Sequence, residues 1–306
     1  MSASRALLAG GRWHFQHGPI DLVIGADGDA TAVAAAHDAA WRAFPAILPA
    51  LVAELALLRQ DVAIPTGIDG PVARRMQSAC RRVRGDAFLT PMAAVAGAVA
   101  EEVIGAYRRP GIERAWVNNG GDIALQLAAG ASVRIGLFAD PARLDARQLR
   151  DGLELDGRFV IEATMPVRGI ATSGWRGRSF SLGIADSVTV LAASASLADA
   201  AATVIANAVN VADPGIRRRP ACELKDDTDL GATPVTVAVP PLAADRIDEA
   251  LAAGLDRALA LQSAGLIAAA VLTCQRRHAR LPMPGPAAGA EDRRAPPVAT
   301  PAALAA

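Results

Sequence analysis

The chain has 306 residues, 52% of them hydrophobic and 20% charged, with a formal net charge of zero. That supply of apolar side chains is enough for a substantial core, and the charge balance removes any electrostatic case for a nucleic-acid or membrane-surface partner. Cys80, Cys222 and Cys274 lie far apart without paired spacing, and His14, His17, His37 and His278 form no ligand pattern, so neither a disulfide framework nor a zinc site is expected. The N-terminus lacks a signal-like apolar stretch and no uncharged run is long enough to cross a bilayer. A cytoplasmic location is therefore expected.

Arg12 to Ile24 alternates enough to predict a strand pair bent at Gly18-Pro19. Ala30 to Gln60 reads as helical, with Pro45 and Pro49 predicting two helices or a kinked one. Helices are also predicted over Pro71 to Val83 and over Pro91 to Tyr107, the second with Thr90 as its cap. Short strands then follow at Ala115 to Val117, Ile123 to Leu127, Val133 to Phe138, Arg158 to Glu162 and Gly169 to Ala171, a pattern that predicts an antiparallel sheet. After a further strand at Pro234 to Val239, Asp245 to Cys274 reads as a closing helix with a weak point at Gly254. The expected organisation is one domain over 1–280 and a disordered Pro/Ala-rich tail over 281–306.

The most informative stretch is the buried strand at Ser187-Val188-Thr189-Val190 and the helix that follows it. At about 100° per residue, Ser196, Asp199, Thr203, Asn207 and Asn210 fall within roughly 80° of arc, and the rest of the helix is Ala, Val, Ile or Leu. Such a helix is expected to be buried, so its polar stripe must face a hydrogen-bonded network, a second polar element or a ligand. Ser196 and Asp199 alone fit a capping box, which needs no ligand. Asp199 and Thr203, at i and i+4, also suit a hard cation such as Mg²⁺.

Two glycine-bearing segments carry further polar groups. Asn118-Asn119-Gly120-Gly121-Asp122 fits a hairpin turn, and it equally suits a backbone that a ligand approaches closely. Thr172-Ser173-Gly174-Trp175-Arg176-Gly177-Arg178 fits a solvated turn or a phosphate-binding loop. Arg74, Arg75, Arg81, Arg82 and Arg84 read as a solvated basic helix face. Walker, dinucleotide-fold and serine-elbow motifs are absent. No residue stands out as a general base, with Asp122 and Asp186 as the candidates.

In combination and in order, the Pro91 to Ala100 helix, Asn119-Gly120-Gly121-Asp122-Ile123, Ala171-Thr172-Ser173-Gly174, Ser187-Val188-Thr189-Val190 and Ala198 to Thr203 resemble the ApbE-like superfamily. Its best-known members are Mg²⁺-dependent flavin transferases that move FMN from FAD onto a protein Thr or Ser. His17-Gly18-Pro19-Ile20-Asp21-Leu22 and Phe88 to Gly97 resemble a distinct UPF branch of that superfamily. The resemblance implies an α+β fold with a mainly antiparallel sheet and packed helices. It implies Mg²⁺ held by the side chains of Asp199 and Thr203 and the carbonyl of Ala94. It also implies an FAD or FMN ligand bordered by Asn119, Gly120, Gly121, Asp122, Thr172, Ser173 and Gly174.

The implied partners are a nucleotide-like small molecule, a protein acceptor where transfer occurs, and a second copy of the chain where it oligomerises. Non-catalytic cofactor carriage and an assembly role are the alternatives. Two features depart from the active transferases. The His…Asp-Pro-x-Thr-Gly segment before the Ser-Val-Thr-Val strand is missing, and Gly97 stands where a lysine is expected.

Overall fold

The structure, a computed structural model, describes residues 2–137 and 157–284. Strands β1 (Ser4–Leu7), β2 (Trp13–His17) and β3 (Ile20–Gly28) open the chain, and β2 and β3 are joined at Gly18, whose φ of 56° reverses the backbone. Helix α1 runs Ala30–Ala53, a short α2 covers Leu55–Leu58, and α3 covers Pro71–Val83. Pro45 and Pro49 do not divide α1 as expected, because both lie on its exposed face, where water can satisfy the carbonyls that lose a partner. The helix breaks at Glu54 instead, whose carboxylate accepts from the N–H groups of Asp69 and Gly70 ahead of α3.

The predicted Pro91 to Tyr107 helix is really three pieces: a 3₁₀ turn at Pro91–Ala94, helix α4 at Val95–Ile104, and a 3₁₀ turn at Gly105–Tyr107. Thr90 does not cap it, since its hydroxyl is spent on Asp229. Then come β4 (Ile112–Asn119), β5 (Asp122–Leu127), β6 (Ser132–Leu137), β7 (Gly157–Glu162), β8 (Gly169–Ser173) and β9 (Ser187–Ala192). Phe138, expected to end a strand, lies outside the described residues. Helix α5 (Ala195–Ala208), β10 (Arg217–Pro220), β11 (Pro234–Ala238), helix α6 (Ala244–Ser263), β12 (Ala269–Cys274) and β13 (Arg277–Leu281) complete the order.

The long closing helix expected over Asp245 to Cys274 is therefore wrong in its second half. Gly265, at φ 68°, donates to Gln262, and Leu266 donates to Leu261, the paired bonds of a Schellman ending, after which the chain turns into β12. Strand β13 ends at Leu281, and residues 285–306 of the expected tail lie outside the described residues.

Nine strands form one antiparallel sheet in the order β1-β2-β3-β4-β5-β8-β9-β12-β13, while β6–β7 and β10–β11 are separate hairpins. The fold is thus α+β with a mainly antiparallel sheet. Helices cover one face, where Phe15 of β2 meets Trp41 and Phe44 of α1 with ring centroids 5.1 and 5.4 Å away. On the opposite face a smaller cluster holds Leu125, Leu127, Ile161, Val167, Ile170 and Leu191. Strand β9 lies between the two and is buried at all six positions. Among the described residues no helix is long and apolar enough to cross a membrane.

Candidate functional site

Helix α5 is buried on every face except the polar stripe. Asp199, Thr203, Asn207 and Asn210 are half-buried, and Ser196 is buried. The capping box does not form, because the helix starts two residues earlier than Ser196 implies, and Ser194 caps it by accepting from Leu197. Ser196 gives its hydroxyl to Glu101 at 2.7 Å. At the other end Asn207 accepts from Leu182, and Asn210 accepts from Arg218. Most of the stripe is thus spent on protein partners, and Asp199 is the one carboxylate on it.

Asp199 accepts from the backbone N–H of Gly97 at 2.9 Å. Gly97 is the third residue of α4, and the cap position of that helix is Ala94, whose methyl group offers no acceptor. A carboxylate on α5 therefore does for α4 what a capping side chain normally does, and it sits at the positive end of that helix. The two helices cross too closely for any side chain at 97: a Cβ there would lie 2.3 Å from the Ala195 carbonyl oxygen and 2.9 Å from the Asp199 Cβ. The absent lysine is thus excluded by packing, and the space it would need is occupied by the backbone of α5.

The β4–β5 hairpin supplies the second carboxylate. Asn119 and Asp122 flank a two-residue turn in which Gly120 and Gly121 have φ of 65° and 115°, values that favour glycine. Alternation along the strands puts Asn119 on the same face as Val117, and Asp122 on the same face as Ala124, both of which pack in the helix-side core. Asn119 accordingly donates to the Ala96 carbonyl of α4 at 3.1 Å. Asp122, 8% exposed, accepts from the Thr172 N–H at 3.2 Å. The Thr172 side chain stands on the other face, where its hydroxyl pairs with Thr189 at 2.9 Å. Thr172 thus reaches Asp122 through its backbone, a distinction that residue type alone does not reveal.

The charge of one carboxylate bears on the other. Burial is the first cause that pushes Asp122 up to about 7, opposed by the Thr172 N–H and by the charge of Arg178. Asp199 is raised well above the carboxylate range, first by burial and then by the negative charge of Asp122, against the N–H groups of Gly97 and Ala96. Arg178 lies over the hairpin, so close that a Cβ on Gly120 would meet its guanidinium. Farther along that loop, Arg176 pairs with the buried Asp186 at 3.1 Å. Gly174 is buried against the Asp186 carbonyl.

Among the expected site residues, the structure gathers Asn119, Asp122, the Thr172 N–H and Asp199 around the start of α4. Ala94 sits at the joint between the 3₁₀ turn and α4, with non-helical φ of −127°. Thr203 is one turn beyond Asp199, and Ser173 and Gly174 continue β8 away from Asp122. Among the described residues no three His, Cys, Asp or Glu side chains are set to hold a metal ion. Two crowded carboxylates with carbonyl and hydroxyl oxygens nearby nonetheless suit a hard divalent cation that keeps water in its shell, so the donors fit Mg²⁺. The roles of Gly97 as a donor and of Thr189 as the partner of Thr172 were missed in the sequence. A helix that lacks its own capping side chain was the available signal for the first.

Several known proteins are similar to parts of the chain. A UPF0280 protein of Methanospirillum hungatei is 40% identical over 124 residues, 40% of this chain and 46% of the relative. Another, from Methanoculleus marisnigri, is 34% identical over 181 residues, 56% of this chain and 67% of the relative. The chain spans about half the length of the first curated relatives it matches. Two solved structures show slighter likeness. The apo flavinyl transferase ApbE of Pseudomonas stutzeri is 16% identical with a TM-score of 0.35, over 66% of this chain and 82% of that one. The flavin transferase ApbE of Vibrio cholerae is 14% identical with a TM-score of 0.34, over 66% and 86%. A family model described as AbpE bacteria matches residues 5–283, and the chain belongs to that family.

Proposed function

We propose that this chain binds a phosphorylated nucleotide, a flavin or a close relative, together with Mg²⁺ at Asp122, Asp199 and the start of α4, and that it acts as a flavin or nucleotidyl-type transferase. The observation that carries this reading is the placing of two carboxylates at the start of α4, Asp199 on the Gly97 N–H and Asp122 on the hairpin that Asn119 ties to Ala96, where the negative charge of Asp122 raises the Asp199 carboxyl and a divalent cation would relieve that repulsion. Membership of the AbpE bacteria family agrees with it.

Asp199, Thr203 and the Ala94 carbonyl would hold the ion, with Asp122 beside them. When bound, Mg²⁺ neutralises pyrophosphate charge and makes the phosphorus easier to attack. The chain's own groups would do the rest. The Gly97 N–H and the α4 terminus hold Asp199 in place, the Asn119 amide ties the hairpin to α4, and Arg178 brings positive charge to the mouth of the hairpin. Asp122, beside that ion and not among its holders, is the carboxylate offered to accept a proton from an attacking hydroxyl.

The missing His…Asp-Pro-x-Thr-Gly segment favours a second reading, a carrier that keeps the ligand and has lost the reaction. Incubating the chain with FAD, Mg²⁺ and candidate acceptor proteins, then separating products by chromatography, distinguishes them. AMP release supports the transferase, and retained intact FAD supports the carrier. A folded chain with no affinity for flavin or Mg²⁺ would overturn both.

A further inference from the structure

A cavity of about 500 Å³ opens beside the far end of the α5 stripe, with Val204, Asn207 and Asn210 on one wall. Asn207 stands eight residues after Asp199, about 12 Å along the helix axis at the usual rise per residue. Arg84, Phe88 and Arg257 also line it, brought in from the end of α3, the loop after it, and α6. We propose that this cavity is a second ligand subsite, taking a phosphomonoester carried beside a flat apolar ring.

The polarity of its wall is the first reason. The Asn207 oxygen is occupied by the Ser181 hydroxyl and the Leu182 N–H, and the Asn210 oxygen by Arg218 and the Val211 N–H. What both amides have left to offer is N–H. Arg84 spends its Nε on the Ala87 carbonyl, and Arg257 spends one nitrogen on the Val83 carbonyl, which leaves further guanidinium donors on each. Thr233 lines the same space.

Carboxylates near this end are Asp86, on the exposed loop, Asp61, 3.7 Å from Arg84, and Asp229, which accepts from the Thr90 hydroxyl beside the lining residue Leu89. Arg84 and Arg257 line the cavity itself, with Arg218 behind Asn210, whereas Asp229 is engaged by Thr90 and Asp61 faces Arg84. Several convergent donors match the three terminal oxygens of a phosphomonoester better than the two of a carboxylate. The ring is argued from Phe88, a large side chain left 43% exposed at the rim, with Leu182 and Val204 as apolar neighbours.

The inference goes beyond the cation site and does not depend on it. It is tested on the full chain, stripped of bound flavin and kept in EDTA, by titrating FMN and riboflavin, which share a ring system and differ by the phosphate. FMN is expected to bind at least about tenfold more tightly than riboflavin, with inorganic phosphate competing and added salt narrowing the gap. In the double variant Arg84→Gln/Arg257→Gln, FMN affinity falls about tenfold toward that of riboflavin. Should that variant fail to fold, Phe88→Ala at the exposed rim is expected to weaken both ligands.

The EDTA keeps Mg²⁺ out of the titration, so failure here is distinct from failure of the cation site. Equal affinity for FMN and riboflavin, binding by neither, or FMN affinity unchanged in the cavity variants would overturn the proposal.

Discussion

The backbone N–H of Gly97 points at the carboxylate of Asp199 across the α4–α5 crossing, 2.9 Å away, where a Cβ at 97 would collide with the Ala195 carbonyl. One atom thus decides how closely two buried helices approach and where the carboxylate rests. Gly97→Ala should force the helices apart and destabilise the chain by about 1–3 kcal/mol in urea unfolding, the usual cost of overpacking. Wild-type stability in that variant would mean that the crossing is not tight.

Asp199 has two roles that different substitutions separate. Asp199→Asn keeps an oxygen for the N–H groups of α4 and removes the charge that Asp122 repels, so apo stability at pH 8 should hold or rise. Asp199→Ala removes the cap as well and should be the less stable of the two by about 1 kcal/mol. Chemical denaturation of both without divalent ions checks the order.

The raised Asp122 carboxyl sets a pH dependence. Its folded value, about 7, lies above the unfolded value of 3.8, so between these limits the native state holds more protons than the unfolded one. This group's contribution is therefore favourable below pH 4 and is lost as pH rises toward 7. In melts without divalent ions, Asp122→Asn should be flatter than the wild type over that window and more stable than it at pH 8. Parallel curves for the two proteins would contradict the assignment.

Away from the site, Tyr107 and His37 share a buried hydrogen bond of 2.6 Å, and burial is the main cause that lowers the His37 pKa. Tyr107→Phe leaves a neutral imidazole without that partner and should cost about 1–3 kcal/mol, with the fold intact by circular dichroism.

Much of this architecture was legible from local pattern. Strand β9 and helix α5 stood out because a six-residue run with no charged side chain meets a serine and then a helix with a single polar edge. The Gly120-Gly121 pair announced its hairpin. What escaped was set by distant contacts. The run Ala269 to Cys274 suits a buried helix as well as a strand, and only the turn at Gly265 and pairing with β9 decide the matter. Pro45 and Pro49 suggested a kink because exposure, which makes them tolerable, depends on how α1 lies on the sheet. Asp199 looked like part of its own helix cap, whereas it caps a helix about a hundred residues earlier. Its encounter with Asp122 joins two motifs that the sequence holds apart.

Calorimetric titration of Mg²⁺ at pH 8, into wild type and Asp199→Asn, each with and without FAD, tests the central claim most directly. The wild type should bind one ion, more tightly when FAD is present, and the variant should lose that binding while remaining folded. Heat that is absent from the wild type, or equal in the two proteins, would contradict the claim that these paired carboxylates form a cation site.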